Sequence, residues 1–193
     1  MTEQNAKQQI LAAATAVFTQ KGFAKASMND IVRESGMSKG GVYWHFKSKE
    51  AIVAAIFDQF FTGQLMMLDA ILTGDANASD KLMQLAHLIG EEIEQIAAQF
   101  PTPLEFYAQA ARSDVLTDRL QTYFQAFGER FETLVKQGIA DGEFTNVPPK
   151  ETAITLGSLF EGILLMWAIN PNQFEVGTQV ETAVTLLLNG IRK

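Results

Sequence analysis

The chain of 193 residues contains no cysteine. That absence removes structural disulfides, thiolate zinc sites, iron–sulfur centres and cysteine nucleophiles from consideration. Histidine is nearly as scarce, and two rings, His45 and His87, cannot build a histidine-rich metal site. No cofactor is expected. The longest apolar run, residues 163 to 169, is far short of the roughly 20 residues that cross a bilayer. The first residues alternate charges with short apolar runs, unlike the basic-then-apolar pattern of a secretory leader. These absences lead to the expectation of a cytoplasmic chain with no membrane partner.

Negative charge dominates overall, with a formal net charge of −7, yet the two ends of the chain differ. Residues 1 to 50 carry seven Lys/Arg against four Asp/Glu, a net +3, and residues 51 to 193 carry eight against eighteen, a net −10. A small basic head on an acidic body directs polyanions to the head and repels them elsewhere.

Apolar periodicity is helical almost throughout, with little strand signal. Ile10, Ala13, Ala14, Val17 and Phe18 share one face of a helix over 6 to 20, and Lys21 and Gly22 supply its stop. Ser27 caps a second helix, with Asp30 in the capping-box position. Gly36 ends that helix, Ser38 caps a third over 39 to 46, and Ser48 caps a fourth that reaches about residue 72. Residues 73 to 80 read as a loop. Further helices are expected at about 80 to 98, 103 to 112, 115 to 140, 151 to 169 and 174 to 190, separated by proline-containing breaks near 101, 147 and 170 and a turn near 140. The fold class is all-α, with about nine helices. A helix-turn-helix unit over 1 to 47 precedes a larger helical domain over 48 to 193.

The second and third helices, joined at Gly36, form a tight pair whose small core would use Phe18, Phe23, Ile31, Val42 and Phe46. The outer face of the third helix then carries Lys39, Gly40, Tyr43 and Trp44, with His45 near its end and Lys47 and Lys49 beyond. A helix of this width enters the major groove of a duplex. Ser38 and the first backbone amides can meet a phosphate, and Gly40 and Gly41 allow close backbone approach. Such helical pairs also occur in proteins that never touch nucleic acid, and Trp44 is placed by spacing alone either in the core or against DNA.

The residues ILAAATAVFTQKGF, then SMNDIV, then GMSKGGVYWHFKSKE resemble the DNA-binding domain of the TetR family of transcriptional regulators over about Ile10 to Phe57. The resemblance implies a homodimer on a palindromic double-stranded operator, usually a repressor until a small molecule enters the C-terminal domain. It assigns DNA contacts to Ser27, Ser38, Lys39, Gly40, Gly41, Tyr43, Trp44, His45 and Lys49, with Tyr43 and His45 mainly on the backbone and Lys49 on a phosphate at the head of the fourth helix. One departure is Gly41, where many members have a side chain that reaches a base. Readout here would lean on Lys39, Tyr43 and Trp44, or on DNA shape.

In the body, the last two helices carry more apolar surface than one neighbour can cover. Leu156, Leu159, Phe160, Ile163 and Trp167 on one, with Val180, Val184, Leu187 and Leu188 on the other, are the expected two-fold interface, a four-helix bundle. Rings and methionines elsewhere in the body suit either packing or an apolar pocket. Phe106, Tyr107, Gln109, Phe127 and Phe131 are the expected pocket contributors, for a hydrophobic, aromatic or cationic effector.

An enzyme needs a constellation that this sequence lacks. Glu91, Glu92 and Glu94 crowd one helix with a single histidine, His87, four residues from Glu91. That is more simply solvated charge than an acid/base or metal site. GMSKGG lacks the spacing and preceding strand of a phosphate-binding loop. The alternative to a regulator is a helical interaction protein of the same fold that does not bind DNA.

Overall fold

Apolar residues at helical spacing, interrupted by glycine turns and proline breaks, fold into α-helices in chain order. The computed structural model describes residues 3–99 and 103–193, with side chains described outside 93–106. Among the described residues the helices are α1 (Glu3–Lys25), α2 (Met28–Ser35), α3 (Lys39–His45), α4 (Lys49–Leu72), α5 (Ala78–Gln99), α6 (Pro103–Ala110), α7 (Asp114–Ala140), α8 (Pro149–Ile169) and α9 (Val176–Ile191). An antiparallel bridge between Phe144 and Arg192 is the β-type pairing found among them.

The chain divides into two units, Met1–Thr62 with Ala97–Arg119, and Gly63–Ile96 with Leu120–Lys193. In the first, Ile10, Ala14, Phe18, Phe23, Ile31, Val42, Phe46, Ile52 and Phe57 are buried. The five core residues expected of the helical pair, Phe18, Phe23, Ile31, Val42 and Phe46, are all among them. α1 runs past the expected stop, but Gly22 breaks its geometry with φ 73 and ψ 159, a left-handed φ that glycine tolerates without a Cβ penalty. Phe23 then turns inward, its ring 4.5 Å from that of Phe18.

The second unit buries one continuous apolar cluster. Leu68 of α4, Leu82 and Ala86 of α5, Phe131 and Val135 of α7, Leu156 and Phe160 of α8, and Val180, Val184 and Leu188 of α9 all belong to it. Two close approaches shape this core. A Cβ on Gly90 would lie 2.7 Å from the Gly177 Cα, so α5 and α9 meet backbone to backbone; one on Gly138 would lie 2.3 Å from the buried Phe144 ring. The start of α5 is finished from afar: the Glu143 carboxylate accepts from the amides of Ala78 (2.9 Å) and Ser79 (3.1 Å). Burial alone would raise the Glu143 carboxyl pKa, but those amides, the Ser79 side chain and the nearby Arg192 charge hold it below its ordinary value.

By length and composition alone, α4 and α8 are apolar enough to cross a membrane. Run length in the sequence hid this, because Asp58, Asp69 and Glu161 interrupt the apolar stretches. In the fold each of these helices buries one stripe, including Leu68 on α4 and Leu156 and Phe160 on α8, and two of the acids are paired: Asp58 with Arg119, and Asp69 accepting from Arg130 Nε at 2.7 Å and Nη2 at 2.8 Å.

Candidate nucleic-acid interface

Local chemistry builds the helical pair as its sequence implies. Ser27 Oγ accepts from the Asp30 amide at 3.2 Å while the Asp30 carboxylate accepts from the Ser27 amide at 3.1 Å, a complete capping box. Asp30 also gathers Lys21 Nζ at 2.6 Å, Arg33 Nη2 at 2.8 Å and the Ser27 hydroxyl at 2.7 Å. The hydrogen bond from Lys21, followed by that from Ser27, holds the Asp30 carboxyl far below its ordinary value. Gly36 closes α2 with φ 65, and Gln9 Nε2 donates to Ser35 O at 2.7 Å, tying α1 to this corner.

Ser38 Oγ accepts from the Gly41 amide at 3.1 Å, which caps α3 and leaves the hydroxyl proton to donate elsewhere. Val42 is fully buried and Phe46 nearly so, which fixes the opposite face of α3 outward. On that face Ser38, Lys39, Gly40 and Trp44 are exposed, and Gly41, Tyr43 and His45 are partly so. Trp44 retains 62% of its surface and stands edge-on to the His45 ring, centroids 4.6 Å apart. Lys39 Nζ lies 5.7 Å from the Tyr43 ring centroid, and none of the described carboxylates pairs with it. A Cβ on Gly40 would meet nothing within 4 Å, so no contact inside the chain requires glycine there.

Two residues assigned to DNA by resemblance are engaged internally. Ser27 gives both its amide and its hydroxyl proton to Asp30. Lys49, half-buried, donates to Phe23 O at 2.5 Å and Ala26 O at 3.0 Å. Neither partnership was visible in the sequence for Lys49, because the acceptors lie 26 and 23 residues away.

The expected effector residues are distributed over both units. Tyr107 and Gln109 are partly buried on α6, and the Phe106 side chain lies outside the described residues. In the second unit Phe131 is fully buried, stacked on Phe160 at 5.9 Å and meeting the half-buried Phe127 at 4.5 Å. Tyr123 extends this row, its phenol pKa raised by burial and by the charge of Glu161. A separate groove of about 310 Å³ between α4 and α7, lined by Asp69, Leu72, Arg130 and Gln137 among others, contains none of the expected pocket residues.

Of the residues expected at the two-fold interface, Leu156, Phe160, Ile163, Val180, Val184 and Leu188 are buried in the chain's own core, and Leu159, Trp167 and Leu187 are partly buried. An apolar helix cannot announce which side meets its own chain. The large apolar side chains left exposed on α8 and α9 are Ile154, Met166, Ile169 and Leu186, more than half of the surface of each accessible. The remaining histidine, His87, bridges Glu181 at 3.1 Å and Glu91 at 3.2 Å, and these carboxylates raise its pKa, the Glu181 hydrogen bond foremost. Among the described residues no group of three His, Asp or Glu side chains could hold a metal ion.

A capped helical pair with an exposed basic, aromatic second helix, in a chain whose described elements are helices, is the geometry of a helix-turn-helix unit. The model of bacterial regulatory proteins of the tetR family matches residues 10–56, and that of the BetI-type transcriptional repressor C-terminal domain matches residues 78–191, more than half the chain. The chain belongs to the TetR family, whose members are DNA-binding transcriptional regulators rather than enzymes, dimerise, and respond to small molecules. An uncharacterised helix-turn-helix regulator of Bacillus subtilis, YfiR, is 34% identical over 147 residues, 75% of this chain and 70% of that one. Among solved structures, SmeT, repressor of the Stenotrophomonas maltophilia multidrug efflux pump SmeDEF, shares the fold with a TM-score of 0.81 at 23% identity, covering 97% of this chain and 90% of its own. FadR of Bacillus subtilis, solved with stearoyl-CoA, does so with a TM-score of 0.77 at 18% identity, covering 96% and 99%.

Proposed function

We propose that this chain is a cytoplasmic repressor that binds a palindromic operator as a homodimer and is released by a small hydrophobic, aromatic or cationic effector. Residues 1–47 form the reading head and 48–193 the effector and dimerisation domain. The observation that carries the reading is the outer face of α3, where the Ser38 hydroxyl, Lys39, Gly40 and Trp44 stand exposed opposite the buried Val42.

In the major groove, the Ser38 hydroxyl and the first amides of α3 donate to a phosphate, and Lys39 adds a mobile cation. Bare backbone at Gly40 and Gly41 permits close approach, while Tyr43, Trp44 and His45 offer ring edges, a hydroxyl and N–H donors to sugar, phosphate and thymine methyl groups. Ser27, exposed at the cap of α2, is the remaining proposed contact. The partly buried and exposed residues of α8 and α9, including Leu159, Trp167 and Leu187, pair across the two-fold and present two heads to half-sites about 34 Å apart or a multiple of that. Effector binding, at the α7 rings Phe127 and Phe131 or at Phe106, Tyr107 and Gln109 of α6, favours a state of the chain that binds DNA more weakly. The acyl chain of stearoyl-CoA, the ligand of FadR on this fold, is an apolar group in keeping with the aromatic row of α7.

The test is fluorescence anisotropy on a duplex selected from a random library by the wild-type chain. Lys39→Ala weakens binding and lowers the slope of log affinity against log salt by about one. An unchanged titration for this variant removes α3 from the interface. Native mass spectrometry of the purified chain then searches for a bound molecule, and a molecule that binds without changing operator affinity defeats the release mechanism.

A further inference from the structure

Every α-helix ends with carbonyls that have no N–H to accept from, at the negative end of its dipole. α1 ends awkwardly: Gly22 breaks the helix, Phe23 is driven into the core, and the chain turns at Ala26 toward the Ser27 cap of α2. Two carbonyls of this corner, Phe23 O and Ala26 O, both accept from Lys49 Nζ, at 2.5 and 3.0 Å. Lys49 is the first residue of α4 and is only partly exposed. Ile52, Val53 and Phe57, on the following turns, are buried in the same unit. One ammonium therefore fastens the first turn of α4 to the corner between α1 and α2.

We propose that Lys49 is a positioning residue for DNA binding: it acts on operator affinity by holding the α1–α2 corner to α4, and not by contacting a phosphate. This rests on the DNA-binding reading above. An ammonium with two of its three donors committed to carbonyls, and partly buried, is poorly placed to displace counterions from a duplex. The corner it holds is the one completed by the Ser27 and Asp30 capping box, from which α2 and then α3 depart. Loosening it misplaces the α3 surface without removing any group from that surface.

The two roles separate in salt dependence. A lost phosphate contact lowers the slope of log affinity against log salt by about one, and a lost internal fastener leaves the slope unchanged. Affinities of wild type, Lys49→Met, Lys49→Arg and, as the charge-contact control, Lys39→Ala are measured at several salt concentrations on the selected duplex, well below each protein's unfolding temperature. Hydrogen exchange at the amides of residues 23–27 is followed without DNA.

Lys49→Met is expected to bind about tenfold more weakly, a change of about 1.4 kcal/mol, with an unchanged salt slope and faster exchange at the corner. Lys49→Arg, which keeps a cation with several donors, restores most of the affinity; if the methionine variant does not fold, Lys49→Gln replaces it. A slope reduced by about one with unaltered exchange, or wild-type affinity in the methionine variant, overturns the proposal. Measuring below the unfolding transition excludes a merely stabilising role, which lowers the unfolding temperature and leaves the affinity of folded protein intact. Should the wild-type chain select no duplex, the DNA-binding reading itself fails, while the exchange measurement still reports whether Lys49 holds the corner.

Discussion

Replacing Gly40 by alanine separates what α3 needs for folding from what it needs for binding. Gly40 is the second residue of α3, and a Cβ built on its backbone meets nothing within 4 Å. No clash opposes the substitution, and glycine in a helix costs about 0.8–1.0 kcal/mol relative to alanine in interior positions, less in a first turn. Gly40→Ala is therefore expected to stabilise the chain by up to about 1 kcal/mol, a rise of about 2–4 °C in melting temperature for a protein of this size. The new methyl projects from the exposed face one turn before Trp44, where backbone and duplex are proposed to meet. Holding the backbone off by a methyl group is expected to weaken operator binding about tenfold, or about 1.4 kcal/mol. Differential scanning calorimetry and anisotropy on the same preparation read both effects. A stabilised variant with wild-type affinity refutes close approach at Gly40, and a destabilised variant refutes the open surroundings of the glycine.

Phe131→Ala, which empties a fully buried site against Phe127 and Phe160, is expected to cost about 3–5 kcal/mol in chemical denaturation; a loss below about 1 kcal/mol contradicts its placement in the core. Leu186→Glu places a charge where 67% of the leucine is already exposed in the single chain, so helicity is expected to be retained while sedimentation shifts from dimer to monomer. A dimer unaffected by this change places the two-fold elsewhere. Because Glu181 and Glu91 raise the folded-state pKa of His87, its stabilisation is present in full below the unfolded value of 6.5 and is lost as pH rises through the raised value. The stability gap between wild type and His87→Ala is thus expected to be larger just below pH 6.5 than in alkaline solution, and a gap independent of pH opposes the bridge.

Much of the reading head was legible because its determinants are local. The Ser27 and Asp30 box, the Gly36 turn and the Ser38 cap act over two or three residues, and Val42 and Phe46 are placed by helical period once α3 is drawn. What escaped the sequence depends on distant partners: Lys49 with the end of α1, and Glu143 with the start of α5 across 65 residues. The body was legible only as apolar helices. Residues such as Leu156 and Val184 advertise burial, but whether their cover is the same chain or a second copy depends on how α8 and α9 are rotated in the core, and no local signal records that rotation. Phe127 and Phe131 pose the same ambiguity between packing and ligand.

Hydroxyl-radical footprinting of the selected duplex with the wild-type chain tests the central claim, that α3 is presented in pairs to double-stranded DNA. The account predicts two protected blocks related by a dyad, centred about 34 Å or a multiple of that apart, both weakened by Lys39→Ala. Protection without sequence preference, a single block, or no protection contradicts it and favours a helical interaction protein that does not read DNA.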